Sequence, residues 1–199
     1  MLVSRLSATV ADNQPVSETD SLDTVIERAR AGDPRAFETL FRALSGSVAG
    51  YLRARSVSDP DGIANDVFLR VFRSIHTFNG DANRFRAWVF TIAHHAAVDD
   101  ARRRRRRAQE APPSHLPELP GDDVESEVMA RLAHDRVHAL LAGLSPDQRD
   151  VLVLRIVADL SVEQTAAVLG KGYEAVRALQ RRGLASVRRV ISSQEAVRQ

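Results

Sequence analysis

The 199 residues include no cysteine, so disulfides and thiolate-held zinc are excluded, and nothing points to an oxidising compartment. No apolar run approaches the roughly 20 residues that a membrane-spanning helix needs. No stretch alternates apolar and polar residues as a half-buried strand does. The enzyme motifs are missing too: there is no Gly-rich phosphate loop, no nucleophile elbow and no carboxylate pair at acid–base spacing. The opening MLVSRLSATVADNQPVSETD has no sustained apolar core and does not read as a signal peptide. These absences lead us to expect an all-α, cytoplasmic protein that is not an enzyme and uses no cofactor and no metal.

What is present is sorted charge. The net charge is only +2, and of 28 basic residues only Lys171 is lysine. Residues 84–107 hold eight arginines against Asp99 and Asp100, whereas residues 108–127 hold six acids and no Lys or Arg. A second basic zone spans 171–189. Two cationic zones therefore flank an anionic spacer, and a run as dense as Arg102 to Arg107 suits a polyanionic partner.

Periodicity divides the chain into two helical domains. Residues 1–20 have no period and read as a leader. Ser21 to Ala31 reads as a helix stopped by Gly32, and Asp33-Pro34 caps the next. That second helix carries the apolar stripe Phe37, Leu40, Phe41, Leu44, Val48, Tyr51 and Leu52. Asp59-Pro60 starts a third helix, with Ile63, Val67, Val71 and Ile75 at four-residue steps and Phe68 and Phe72 widening the stripe. FNGDANR, Phe78 to Arg84, reads as a loop. FRAWVFTIAHHAAVDDARRRRRR follows, aromatics interleaved with arginines, a pattern that suits unpaired bases, although core packing accounts for Trp88 equally well. The first domain is placed at 21–107 and a Pro-rich acidic linker at 108–123. The second domain is placed at 124–191, opening with a helix from Val124 to Leu141, and a tail at 192–199.

The second domain ends in the most informative stretch, LSVEQTAAVLGKGYEAVRALQRRGLASVRRVI. Ser161 with Gln164 makes a capping box, as does Ser145 with Gln148. Gly170-Lys171-Gly172 permits a sharp turn. Val176, Leu179, Gly183, Val187 and Val190 share one face of the following helix, and arginines occupy the other. This is the layout of a DNA-reading helix-turn-helix. His134 and His138, four residues apart, raise a metal site, but only His115 offers a third ligand.

Four stretches in order resemble the sigma-70 family of RNA polymerase sigma factors, in its small extracytoplasmic-function group. They are AGDPRAFETLFRAL, DPDGIANDVFLRVFRSI, FRAWVFTIAHHAAVDDARRRR and the run from Leu144 to Arg189. The resemblance implies a region 2-like bundle, a region 4-like helix-turn-helix and a linker threading polymerase. The linker's acidity is read either as a mimic of RNA charge or as a solvated spacer. The third helix would dock on the polymerase clamp through Asn65, Asp66, Arg70 and Arg73, although Gly62 stands where the family favours an acid. The loop Asn79 to Asn83 would capture a flipped base. Asn79, Asp81, Asn83, Arg84, Arg86, Trp88, His95, Arg102 and Arg103 form the set implied for the minus-ten element. For the minus-thirty-five element the set is Arg177, Ala178, Arg181 and Arg182, with Lys171 and Tyr173 at phosphate. Core RNA polymerase (clamp and flap), promoter DNA and an anti-sigma factor are the implied partners. A stand-alone helix-turn-helix regulator is the rival reading; it has no use for the clamp-like helix.

Overall fold

The computed structural model describes residues 21–110, 140–141 and 143–197, with side chains to residue 193. The leader 1–20, most of the linker, and the expected helix from Val124 as far as residue 139, with His115, His134 and His138, lie outside the described residues. Within them the chain is helical and contains no strand.

Helix α1 (Leu22–Arg30) starts at Ser21, whose hydroxyl accepts from Thr24 N–H. Helix α2 (Pro34–Ala54) starts at Asp33, which accepts from Arg35 N–H at 2.9 Å and from the Arg28 guanidinium at 2.7 Å. One carboxylate thus caps one helix and ties it to the one before, so its loss costs at least the ~1 kcal/mol typical of a cap. Helix α3 (Pro60–Ser74) is capped by Asp59, which accepts from Gly62 N–H at 2.9 Å. A side chain at residue 62 would place its Cβ 2.1 Å from Asp59 Oδ2. Propensity alone predicts that glycine weakens this helix by about 1 kcal/mol; the structure adds that it leaves the cap its room.

A short 3-10 turn (Ile75–Thr77) leads to α4 (Ala82–Glu110). The expected loop ends earlier than its composition suggests. Asp81 accepts from Arg84 N–H at 2.8 Å and starts the helix, so Ala82, Asn83 and Arg84 form its first turn. At its other end α4 runs three residues into the stretch read as linker. Then come α5 (Pro146–Ile156), α6 (Val162–Leu169) and α7 (Tyr173–Val197). Both capping boxes form. Gly170 takes the left-handed conformation, φ 61°, that ends α6; Gly172 has no positive φ. Helix α7 passes residue 191 and includes most of the stretch read as tail.

Tyr51, Phe85, Phe90, Leu40, Leu44 and Leu52 are fully buried in the N-terminal core, and Ile63, Val67, Val71 and Ile75 all face it. Phe41 and Phe72 differ from expectation. They are 37% and 55% exposed, each set edge-on to a neighbouring ring, Phe68 and Phe37 respectively. Gly183 brings α7 close to α5, where a Cβ would stand 2.9 Å from Leu152 Cδ1.

The two halves are in contact. Val153, Leu154, Ala158, Leu160 and Val168 belong to the same buried cluster as the N-terminal core. Arg55, the C-cap of α2, pairs with Asp150 on α5, and both are largely buried.

Candidate nucleic-acid interface

Three exposed faces carry the residues singled out by sequence. The first is on α3. Asn65, Asp66, Arg70 and Arg73 are all exposed, and the last three make no ion pair with another described residue. Leu69, 51% exposed, and Phe72 lie among them. A face with two large apolar groups ringed by unpaired charge is built to be covered by protein. Phe72 escaped sequence reasoning because it follows Phe68 by one helical turn and extends the apolar stripe past the core's edge.

The second face is on α4, a helix about 43 Å long at 1.5 Å per residue. Arg84, Trp88, His95 and Arg102 recur at steps of four and seven and so share one side. Arg84, His95, Arg102 and Arg103 are exposed, as are Asn79 and Asp81 in the preceding loop. Trp88 is half-buried, its ring 5.2 Å from Phe78 and 5.8 Å from Phe85. One side of the indole is thus fixed by the core. Asp99 is 3.8 Å from Arg102 and Asp100 is 2.9 Å from Arg104; no ion pair joins Arg103, Arg105, Arg106 or Arg107 to another described residue.

Arg86 does not join that group, and Asn83, though exposed, is tied to the C-terminal half through its backbone. Two residues on a helix turn the side chain by about 200°, so Arg86 and Trp88 point to nearly opposite sides. Arg86 donates to the carbonyl of Ala158 at 3.4 Å, and the carbonyl of Asn83 accepts from Gln164 Nε2 at 2.9 Å. Both partners belong to the C-terminal half.

The third face is on α6 and α7. Tyr173 is 43% exposed, and the Arg177 guanidinium lies over its ring, 5.9 Å from the centroid. Arg181 and Arg182 are exposed, Ala178 is half-buried, and Lys171 is held at 3.0 Å from Asp147. Arg177, Arg181 and Arg188 line one side of α7 and border a groove of about 410 Å³ with Arg155 of α5. Arg182 stands on the other side, about 100° from Arg181. Arg155 was missed by sequence reasoning; its only signal is a lone charge inside the apolar run VLVLRIV. It also donates to the Leu160 carbonyl, which holds it beside the groove.

Among the described residues no cluster of three metal-ligating side chains occurs, and no helix is long and apolar enough to cross a membrane.

Residues 40–107 match the model of Sigma-70 region 2, and residues 140–189 that of Sigma-70, region 4. The chain is 31% identical to the ECF RNA polymerase sigma factor ShbA of Streptomyces griseus, over 86% of this chain and 95% of that one. It is 34% identical to the ECF RNA polymerase sigma factor SigD of Mycobacterium tuberculosis, over 83% and 81%. The chain belongs to the sigma-70 family, in its ECF group. The fold agrees. A solved structure of CnrH in complex with the cytosolic domain of CnrY matches 87% of this sigma factor and 99% of that chain, with TM-score 0.65 and 24% identity. The sigma factor RpoE of Bartonella quintana, in complex with the anti-sigma factor NepR, matches 78% of this chain and 96% of that chain with TM-score 0.61 and 19% identity. As a sigma factor, this protein gives RNA polymerase its choice of promoter at initiation.

Proposed function

We propose that the three exposed faces divide the work of a sigma factor. The α3 face docks on the polymerase clamp through Asp66, Arg70 and Arg73, with Asn65 at its edge and Leu69 and Phe72 filling the contact. The loop at Asn79 and Asp81, with Arg84, Trp88, His95, Arg102 and Arg103, receives the minus-ten strand, Trp88 offering its free side to a base. The exposed Asn83 belongs to this set, and Arg86 joins it only when the Ala158 carbonyl releases it. Helix α7 enters the major groove at the minus-thirty-five element, where Arg181 and Arg182 reach base edges beside Ala178. Lys171, Tyr173 and Arg177 hold the phosphates. Domains divide as 21–107 and 124–191, with 108–123 spanning polymerase between them. The protein acts in the cytoplasm, without catalytic chemistry of its own, and an anti-sigma factor controls it.

The observation that carries this reading is the pairing of two arginine-bearing helices with a separate apolar-and-charged face. A stand-alone DNA-binding regulator has no need of that face. Run-off transcription with core polymerase over a promoter library tests it. Transcripts are expected only when the protein is added, and Asp66→Arg is expected to remove them. Sequence-specific duplex binding by the protein alone, with no stimulation of polymerase, would favour the regulator instead.

A further inference from the structure

We propose that helix α1 braces the minus-ten loop, and that Asp23 is the positioning residue through which it acts. The proposal rests on the reading of Asn79 and Asp81 as part of the segment that receives the minus-ten strand. Helix α1 lies outside residues 40–107, the stretch that matches region 2, and none of the three exposed faces uses it. Burial of Val25, Ile26 and Ala29 accounts for its packing. It does not account for Asp23, an exposed acid in its first turn.

Asp23 Oδ1 accepts from the Ala82 N–H at 2.6 Å, although the two residues are 59 positions apart. Ala82 is the first residue of α4 and directly follows the loop. The first N–H groups of a helix have no partner inside it. Here two acids share them. Asp81 takes the N–H of Arg84 from within the loop, and Asp23 takes that of Ala82 from another helix. A carboxylate in this place makes a charge-assisted bond and meets the favourable end of the helix dipole. Asp23 thereby ties the end of the loop to a helix anchored in the core, which a local cap cannot do.

The start of the loop is held by Phe78, which is buried with its ring 5.3 Å from that of Phe85 and 5.2 Å from that of Trp88. Gly80 lies close against this platform. A Cβ there would stand 3.1 Å from Phe78 Cζ and 3.0 Å from Arg84 Cβ. Asn79 and Asp81 are left exposed between the two anchors. Extruding a base from the stack is costly in itself. A loop that had to be ordered at the same moment would add its own entropy. A loop fixed at both ends avoids that second cost, and its polar groups stand where they can favour one base over another.

The test uses holoenzyme and a labelled single strand carrying the minus-ten element of a promoter found in the run-off library. The same strand is also altered at one base at a time. The quantity read is the ratio of affinities for the preferred and altered strands. Asp23→Ala is expected to lower that ratio about fivefold at a base the loop receives, the size of one such hydrogen bond, while core polymerase binds as before. Asp23→Asn keeps an acceptor oxygen and should restore most of the ratio. A ratio does not depend on how much of the protein is folded, so a role confined to stability would leave it unmoved. Ala82→Pro removes the same N–H from the other side, at a first helical position where proline is tolerated. It decides the matter if Asp23→Ala does not fold. The same drop is expected, with no further drop in the double variant. An unchanged ratio in either folded variant, or a further loss in the double variant, overturns the proposal. Asn79→Ala tests the reading beneath it and should lower the ratio too. If Asn79→Ala acts and the Asp23 variants do not, the brace alone fails; if Asn79→Ala is silent, the loop reading fails and the brace with it.

Discussion

Tyr51 and His94 meet in the core, the phenol oxygen 2.8 Å from Nδ1 of the imidazole. Tyr51 comes from α2 and His94 from α4, so this bond joins the two longest helices of the N-terminal half. Burial depresses the imidazole pKa to about 4, helped by the positive charges of Arg55, His95 and Lys171. The folded state therefore holds His94 neutral between about pH 6.5 and pH 4, where an unfolded chain would protonate it.

A pH dependence follows. The ordinary imidazole titrates near 6.5 and the folded one near 4. Between those values the unfolded chain binds a proton that the folded chain refuses, so stability falls as pH drops through this window and levels off below it. At about 1.4 kcal/mol per pH unit, reduced for partial exposure, the loss is on the order of 2 kcal/mol. Urea unfolding at pH 7 and pH 5 measures it. His94→Gln is expected to remove most of the difference; an equally steep loss in that variant would exclude His94 as the cause.

Asp100 predicts a second effect at lower pH. It is buried and accepts from the Ser58 hydroxyl at 2.6 Å and the Ser58 N–H at 3.1 Å, with Arg104 at 2.9 Å. Burial alone would raise its pKa, but the Ser58 bonds and Arg104 outweigh it and hold the carboxyl below its ordinary range. Its contribution is present above pH 3.8 and is lost as pH falls through the lowered folded value. Asp100→Ala leaves a backbone donor without its partner, so a loss of about 2 kcal/mol is expected in thermal or urea unfolding. Asp100→Asn keeps an acceptor and should lose less.

Gly183 sets the spacing of α5 and α7. Gly183→Ala gains about 1 kcal/mol in helix propensity, while its Cβ presses on Leu152 Cδ1 at 2.9 Å. The two effects are expected to cancel, leaving the melting temperature nearly unchanged. Gly183→Leu has no such balance. It should destabilise by about 1–3 kcal/mol through overpacking, which calorimetry would detect.

Most helix starts were legible because proline, aspartate and serine stood ahead of apolar periods. Asp33, Asp59, Ser145 and Ser161 all cap as their positions suggest. Asp81 was not legible as a cap: asparagine and glycine around it carry a loop signal, and Phe85 begins the apolar period too late. Asp100 reads in sequence as one acid before an arginine run; only the fold brings Ser58, far away in the chain, to its side. The exposed Phe72 and the groove arginine Arg155 were hidden for a related reason. A helical period says which residues share a face, but not where the neighbouring helix stops covering it. The contact between the two halves joins an apolar cluster, with Val153, Leu154, Ala158, Leu160 and Val168, to polar links through Arg55, Asp150, Gln164 and backbone carbonyls, and the polar links form no periodic pattern.

Arginines on the two sides of α7 are expected to behave differently. Arg155 and Arg188 border the groove that Arg177 and the base-reading Arg181 also line, and are expected to meet phosphate and not base edges. Removing one such contact weakens binding to all sequences alike and lowers the salt slope by about one. Arg155→Ala and Arg188→Ala should therefore lower promoter affinity of the holoenzyme without changing the order of preferred promoters. Arg182 lies outside the groove on the side of Ala178. Its replacement by alanine is expected to cost about 1–3 kcal/mol at one base pair and relax the preference there. Binding of holoenzyme to a set of single-base promoter variants at two salt concentrations separates the two outcomes. A uniform loss with Arg182→Ala, or an altered preference with Arg155→Ala, would reverse the assignment of the two sides.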